Sequence, residues 1–333
     1  MKELKRLAKK GLSVLRRVLH GKKPYVNVAT DAVFIDSGSW TFFCEEHFQP
    51  LEKMQLICDN FDLVRSKDYA KIVAYIGVID KKTLPRLSNL RWLQLASHGY
   101  NGFDNRSLYK NDAVVVSNLK NVFADPIADY CIAAYHYFFS YSLRRLSKKR
   151  VELFDVPVIP RTVVVTIVGI GNIGSAIARK CKETGWIVLG VKKHLEHYEK
   201  PDCLDEVASF SQVEGFLSRS DYVINVLPET DETRGIFNLA FFKKMKKTAL
   251  FCNVGRGSAV VDEDIEKAVN EKIIAGAVLD ASTRKKYKSS RIIVTGHTSS
   301  VSSQNAEVFD EFFSSQLSKF CAGETVENVI PLE

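Results

Sequence analysis

The sequence predicts an α/β protein with two domains, each built on a parallel β-sheet flanked by helices. Its 333 residues fit two domains at the usual size of about 100–200 residues each. Short apolar, β-branched segments alternate with helical patterns along the chain, which is typical of parallel sheets. A glycine-rich turn also joins one apolar strand directly to a helix. The expected fold is therefore α/β, with two domains that each contain a parallel sheet.

The first cycle of elements begins after the Gly-Lys-Lys-Pro break at residues 21–24. We expect its strands at PYVNVATD (24–31), KIVAYIGV (71–78), RWLQLAS (91–97) and AVVVSN (113–118). A long apolar helix is expected over residues 125–146, because Asp125-Pro126 suits a first helical turn. This cycle predicts the smaller of the two sheets.

The second cycle repeats strand and helix more regularly and ends in one further helix. Strands are expected at 162–168, 186–191, 222–228, 248–254, 273–280 and 291–296, and helices at 175–185, 211–220, 238–246, 262–272 and from 303 onward. The last helix is expected to return to the first domain.

The turn Gly169-Ile170-Gly171-Asn172-Ile173-Gly174 has the spacing G-x-G-x-x-G. It follows a strand and opens a helix, which is the context that a dinucleotide-binding loop requires. The glycines allow a tight turn, close approach to a pyrophosphate and close packing of helix on strand. The residues from Gly169 to Gly174 are therefore candidate cofactor ligands.

The end of the next strand carries cations where an acid usually holds the ribose 2′-hydroxyl of NAD. The sequence there is Gly190-Val191-Lys192-Lys193-His194. Lys192 and Lys193 would attract a 2′-phosphate, so we expect NADP(H) to be preferred over NAD(H). A solvated basic loop with weak discrimination is the alternative.

The basic charge of the chain is concentrated at its start. Residues 1–23 contain nine of the 47 Lys and Arg residues but one of the 39 acids, so the remainder carries no net charge. Their apolar residues fall roughly on one helical face. This segment is expected to be a basic amphipathic extension that contacts a membrane surface or an acidic partner, or else a solvated or self-packed helix. No nucleic-acid motif follows it.

Seven scattered cysteines without a C-x-x-C pair favour a reducing compartment over disulfides or a zinc site. No signal peptide or membrane-spanning run is visible. We therefore expect a cytoplasmic protein without a bound metal, associated with a membrane only through residues 1–23.

Six blocks in order resemble the D-isomer-specific 2-hydroxyacid dehydrogenases. They are SHGYNGFD (97–104), NLKNVFADPIADY (118–130), SDYVINVLPETDETRGIFN (220–238), FFKKMKKTALFCNVGRGSAVVDEDIEKAV (241–269), AGAVLD (275–280) and VTGHTSS (294–300). The resemblance implies two Rossmann-like domains with a cleft between them. They are a flavodoxin-like substrate domain formed by residues 24–128 plus 300–333, and an NAD(P)-binding domain formed by residues 129–299. The resemblance also implies a homodimer.

The resemblance gives each candidate residue a role. Arg256 would bind the carboxylate of a 2-oxo acid and polarise its carbonyl, because a guanidinium offers two parallel donors. His297 would supply the proton. The backbone of His98, Gly99 and Tyr100 would cradle the substrate carboxylate. The cofactor site would include Pro228, Thr233, Val254 and Asp280, with Asp280 facing the nicotinamide amide.

The resemblance fails between Asp280 and His297, where the family carries a Glu that pairs with the catalytic His. The segment ASTRKKYKSSRIIVTG (281–296) has no acid and five bases. Three interpretations follow: a reductase with an unassisted His297, an acid supplied by another segment, or a dinucleotide-binding regulator without turnover. The bases could also recognise an additional negative charge on the substrate.

Overall fold

The computed structural model describes residues 26, 28, 31–36, 54–59, 61–97, 99–100, 102–120, 122–146, 160–196, 198–301 and 305–333. The expected extension at residues 1–23 lies outside them. The chain divides into two compact units: unit 1 comprises residues 1–122 and 303–333, and unit 2 comprises residues 123–302. No helix within the described residues is long and apolar enough to cross a membrane.

Unit 1 contains a five-stranded parallel sheet in the order β2-β1-β3-β4-β5, the order of flavodoxin-like folds. The strands are β1 (Ala32–Asp36), β2 (Gln55–Asp59), β3 (Ile72–Gly77), β4 (Trp92–Leu95) and β5 (Val115–Ser117). Four described 3-10 helices, at Phe61–Leu63, Ser66–Lys71, Lys81–Arg86 and Arg106–Leu108, lie in its connections. Its core is a cluster of buried side chains that includes Phe34, Tyr75 and Leu93.

Unit 2 contains a seven-stranded parallel sheet in the order β12-β11-β10-β9-β6-β7-β8. The strands are β6 (Val164–Val168), β7 (Ile187–Val191), β8 (Glu206–Ala208), β9 (Tyr222–Asn225), β10 (Leu250–Asn253), β11 (Gly276–Leu279) and β12 (Ile292–Val294). This is the dinucleotide-binding order with one more strand, and it reverses between β6 and β9. The expected pair of parallel-sheet α/β folds is confirmed.

The helices are α1 (Ala124–Phe139), α2 (Tyr141–Leu146), α3 (Asn172–Glu183), α4 (Val213–Leu217), α5 (Leu239–Phe242), α6 (Asp262–Asn270) and α7 (Asn305–Ala322), with 3-10 turns at Phe210–Gln212 and Gly257–Ala259. Helix α1 packs against α3, and Lys180 Nζ lies 2.7 Å from Asp129 Oδ1 across them. Helix α7 belongs to unit 1.

Two expected elements differ from the structure, and two observed strands were not expected. The first strand is Ala32–Asp36, which is buried throughout; in the expected strand at 24–31, Val26 forms an isolated bridge with Val64. The continuously apolar run after PYVNVATD forms the strand, which lies between β2 and β3 in the sheet. The helix expected over 125–146 is interrupted at Ser140, whose backbone is extended. Strands β2 and β8 were not expected at all.

Candidate active site

The carboxyl edge of the seven-stranded sheet brings most of the expected site residues together. Chain segments leave this edge after β6, β7, β9, β10, β11 and β12. In open parallel sheets, ligands bind outside the carboxyl ends of the strands, where the strand order reverses. Here that point lies between β6 and β9, so the loops at 169–174 and 226–233 flank it.

The glycine loop has a geometry that side chains would prevent. Gly169 has a φ of +107°, a conformation that L side chains rarely adopt. A Cβ on Gly174 would lie 2.0 Å from the carbonyl oxygen of Gly169, whereas a Cβ on Gly171 would meet nothing within 4 Å. Gly174 therefore permits close packing of helix on strand, and Gly171 leaves open space beside the loop.

Helix α3 begins directly at this loop, with Gly171 as its N-cap and no side-chain hydrogen bond to the cap. The first N–H groups of a helix attract phosphate when side chains do not satisfy them. Asn172 and Gly171 are exposed, Ile173 is half-buried and Gly174 is buried. This geometry fits the pyrophosphate of a dinucleotide.

Lys192 and Lys193 follow β7 but have different surroundings. The half-buried Lys192 donates to the carbonyl oxygen of Ile170, in the glycine loop, at 3.3 Å. Its ammonium also lies 4.7 Å from the ring centroid of Tyr198. The exposed Lys193 forms an ion pair with Glu232 and lowers the pKa of that carboxyl. Lys192 is therefore the lysine held at the glycine loop.

The segment after β9 forms a compact turn around Thr233. The Thr233 hydroxyl donates to the carbonyl oxygen of Pro228 at 2.8 Å and accepts from the N–H of Thr230 at 2.9 Å. Pro228 is exposed, and Thr233 is half-buried. Val254, after β10, is buried, and its N–H donates to the carbonyl oxygen of Asn225 at 3.1 Å.

Arg256 lies in a loop held between two neighbouring chain segments. A Cβ on Gly255 would lie 2.7 Å from the carbonyl oxygen of Leu227, and one on Gly257 would lie 2.9 Å from the backbone of Ser282. The half-buried Arg256 side chain donates to the carbonyl oxygen of Gly255 at 2.9 Å. Within the described part of unit 2, no carboxylate forms an ion pair with it. Its guanidinium can therefore receive an anionic ligand.

Two buried asparagines, which the sequence interpretation missed, hold this loop. Asn225 ends β9 and Asn253 ends β10, and both side chains are fully buried. The Asn253 amide donates to the carbonyl oxygens of Arg256 at 3.0 Å and Ala281 at 2.7 Å. Its oxygen accepts from the Asn225 amide at 2.8 Å and the N–H of Gly255 at 3.1 Å. The sequence signal that could have identified these asparagines is a polar amide at the end of a continuously apolar strand.

Asp280 directly follows β11 and is 1% exposed. Its carboxylate accepts from the Thr295 hydroxyl at 2.6 Å and from the N–H groups of Thr298 at 2.8 Å and Ser299 at 3.0 Å. We expected this carboxylate to face a nicotinamide amide. In the structure the Asp280 carboxylate is hydrogen-bonded to the loop after β12, which carries His297.

His297 is exposed and has a φ of +63°, in the left-handed region. Its N–H donates to the carbonyl oxygen of Asp280 at 2.8 Å. Among the described residues of unit 2, no carboxylate lies within ion-pair distance of its ring. An acid from another segment, one of the three interpretations, is therefore not observed in this part of the chain.

In the basic segment after Asp280, the charge of Arg284 is neutralised by acids of α6. Arg284 forms ion pairs with Asp262, Glu263 and Glu266, and the N–H of Lys288 donates to Glu266 at 2.9 Å. Lys285 and Lys286 are exposed. The acids of the first turns of α6 are thus the partners of this segment.

The expected substrate loop lies in unit 1, after β4. The Ser97 hydroxyl donates to the carbonyl oxygen of Gly99 at 2.6 Å, and the Tyr100 side chain is 41% exposed. His98 lies outside the described residues. Gly99 and Tyr100 are thus at the carboxyl end of a strand, which is where parallel-sheet folds bind ligands.

These features define a dinucleotide-binding α/β protein. Residues 148–299 match the family model described as D-isomer specific 2-hydroxyacid dehydrogenase, NAD binding domain. The match gives this part of the chain the NAD-binding domain of the D-isomer-specific 2-hydroxyacid dehydrogenases.

Curated relatives agree with the family model. A glyoxylate reductase of Thermococcus kodakarensis is 31% identical over 51% of this chain and 52% of its own length. A D-lactate dehydrogenase of Streptococcus agalactiae is 28% identical over 62% of this chain and 63% of its own length. The chain thus spans about half the length of the curated relatives that it matches.

Solved structures show the same fold. A family protein from Aeromonas salmonicida has a TM-score of 0.75 at 20% identity, covering 91% of this chain and 100% of that one. A family dehydrogenase from Xanthobacter autotrophicus, in complex with NADPH and MES, has a TM-score of 0.69 at 20% identity and covers 91% and 98%. At this identity the likeness establishes the fold alone.

Proposed function

We propose that this protein is an NAD(P)H-dependent reductase of 2-oxo acids, which runs in reverse as a D-2-hydroxyacid dehydrogenase. The half-buried Arg256 carries the proposal, because it has no carboxylate partner in the described part of unit 2 and lies at the edge that holds the glycine loop. Relatives named glyoxylate reductase and D-lactate dehydrogenase support this reaction class. Unit 1 would be the substrate domain, with His98, Gly99 and Tyr100 at the substrate carboxylate.

The residues of this chain would divide the chemistry between them. The bound reduced nicotinamide would supply a hydride to the carbonyl carbon. The Arg256 guanidinium would bind the substrate carboxylate and stabilise the charge that develops on the carbonyl oxygen. His297 would donate a proton to that oxygen and take it back in the oxidation. Glycine-loop N–H groups and Thr233, Pro228 and Val254 would hold the cofactor.

Oxidation of NADPH and NADH by purified protein tests this proposal directly. We expect turnover on at least one of glyoxylate, hydroxypyruvate and pyruvate, measured between pH 5 and 8. Tight cofactor binding with no turnover on any 2-oxo acid would contradict the proposal.

We further propose that the cofactor is NADP(H). Lys192 supports this preference because it lies against the glycine loop, close to where the adenine ribose of a dinucleotide binds after β7. Structures of the same fold contain NADP or NADPH, including a glyoxylate/hydroxypyruvate reductase from Sinorhizobium meliloti.

Lys192→Ala is expected to weaken NADPH binding about tenfold or more and to leave NADH binding nearly unchanged, since only NADPH carries the 2′-phosphate. Lys193→Ala is the matched control. The Lys193 ammonium already forms an exposed ion pair with Glu232. Lys193→Ala should therefore weaken NADPH binding less than Lys192→Ala does. Titration of cofactor fluorescence measures the dissociation constants for NADPH and NADH. Equal losses for NADPH and NADH in the Lys192 variant would exclude a 2′-phosphate contact.

The second candidate function is a dinucleotide-binding regulator with little or no turnover. The specific observation in its favour is the His297 ring, which has no carboxylate partner in the described part of unit 2. Contact of residues 1–23 with a membrane surface or acidic partner would suit this function, and so would a homodimer. The turnover measurement separates the two candidates.

A further inference from the structure

The loop that carries His297 is held in an unfavourable backbone conformation. Gly296 has a φ of +76° and His297 a φ of +63°, so two successive residues are left-handed. Glycine adopts this conformation freely, but a residue with a Cβ does so only at a cost in free energy. Such strain persists where surrounding contacts determine the backbone. The contacts that hold this loop are therefore relevant to where the imidazole lies.

Asp280 provides most of those contacts. Its carbonyl oxygen accepts from the N–H of His297 at 2.8 Å. Its carboxylate accepts from the N–H groups of the next two residues, Thr298 and Ser299, at 2.8 and 3.0 Å. Hydrogen bonds to a carboxylate are stronger than neutral ones, and this carboxylate is buried. Asp280 thus accepts hydrogen bonds from the backbone N–H groups of His297 and of the two residues after it.

A tyrosine on α1 extends this arrangement. The Tyr130 hydroxyl lies 2.8 Å from the Thr295 hydroxyl, which in turn lies 2.6 Å from the Asp280 carboxylate. Thr295 has one hydroxyl hydrogen, and the carboxylate can only accept it. Tyr130 must therefore donate to Thr295. Burial raises the pKa of Tyr130 well above its usual range, which keeps its hydroxyl a donor at neutral pH.

We propose that Tyr130 and Thr295 are positioning residues for His297, acting through the Asp280 carboxylate. The inference rests on the proposed function for its catalytic consequence, but the contact chain can be tested without it. No described carboxylate of unit 2 orients the imidazole directly. Its placement therefore depends on the backbone, which the chain Tyr130–Thr295–Asp280 fixes. An imidazole displaced by about 1 Å loses a large part of its effect on proton transfer.

The first test compares two tyrosines on the same helix. Tyr130→Phe removes the donor to Thr295 and is expected to lower kcat for the best 2-oxo acid about tenfold. KM and NADPH affinity should stay unchanged, because Arg256 and the glycine loop are intact. Tyr135→Phe is the control, because its buried hydroxyl has no partner among the described residues. Equal kcat values in the two variants would overturn the proposal.

The second test distinguishes positioning from a general packing role. Thr295→Val removes the hydroxyl and should lower kcat, whereas Thr295→Ser keeps the donor to Asp280 and should restore kcat to within about threefold of the unsubstituted protein. If kcat of Thr295→Ser is as low as kcat of Thr295→Val, the hydroxyl does not position His297 and the proposal is wrong.

The third test needs no turnover. Amide hydrogen exchange at His297, Thr298 and Ser299 should become about tenfold faster in Tyr130→Phe than in Tyr135→Phe, since loss of the donor weakens the tether of the loop. Unchanged exchange would overturn the contact chain even in an active enzyme. Faster exchange in a protein that reduces no 2-oxo acid would leave the contact chain supported and the proposed function refuted.

Discussion

Arg256→Ala is expected to lower kcat/KM for the best 2-oxo acid by about a thousandfold, the upper range for loss of one preorganised donor group to a developing oxyanion. The loss should exceed that of an ordinary surface charge, because the half-buried guanidinium would contact both the carboxylate and the carbonyl oxygen. NADPH affinity should change less than twofold, since the glycine loop is untouched. Steady-state kinetics and cofactor titration measure both quantities.

Two companion variants sharpen this test. Arg256→Lys keeps the charge but loses the planar pair of donors, so it should recover a part of the activity. Arg219→Ala is the matched control: Arg219 pairs with Glu206 on the surface and precedes β9, at the opposite edge of the sheet. Its kinetics should equal those of the unsubstituted protein. Activity of Arg256→Ala within about fivefold of the unsubstituted protein would remove Arg256 from the mechanism.

Asn253→Ala is expected to lower the free energy of unfolding of unit 2 by about 3–5 kcal/mol, the largest loss of stability predicted for this site. The substitution removes two donors and two acceptor contacts from a fully buried position. It leaves the carbonyl oxygens of Arg256 and Ala281 without these donors. Urea unfolding, followed by hydrogen exchange in β9 to β11, reports on unit 2 alone.

Asn238→Ala is a useful control for this substitution. Asn238 caps α5 through one described hydrogen bond to the N–H of Phe241, at 3.1 Å, so its loss should cost about 1 kcal/mol. Asn253→Asp should also destabilise, because a carboxylate cannot donate to the two carbonyl oxygens. A loss no greater than that of Asn238→Ala would mean that the asparagine network contributes little.

The sequence predicted the sheet type and the glycine loop because both depend on local patterns. Continuous apolar runs such as that of β10 can be buried on both faces only in a covered parallel sheet. The run before Gly169 and the helix after it likewise place the loop without any distant contact. Motif order then placed Arg256 and Asp280 at strand ends.

Other features depended on contacts that the sequence does not display. The pairing of Lys193 with Glu232 joins residues 39 positions apart, and that of Tyr130 with Thr295 joins residues 165 positions apart. The sequence also did not show that Arg284 would form ion pairs with three acids of α6. The first strand was expected a few residues too early, because the apolar residues of PYVNVATD precede the continuously apolar run that forms β1.

The construction of unit 1 from two distant segments has a consequence for the order of events during synthesis. The carbonyl oxygens of Val116 and Asp104 accept from the N–H groups of Ile330 and Glu333, both at 2.8 Å. These partners are translated about 200 residues after β5, when unit 2 is already complete. A growing chain forms units as their residues emerge. The hydrogen bonds that this last segment gives to unit 1 can therefore form only after all residues of unit 2 have been synthesised.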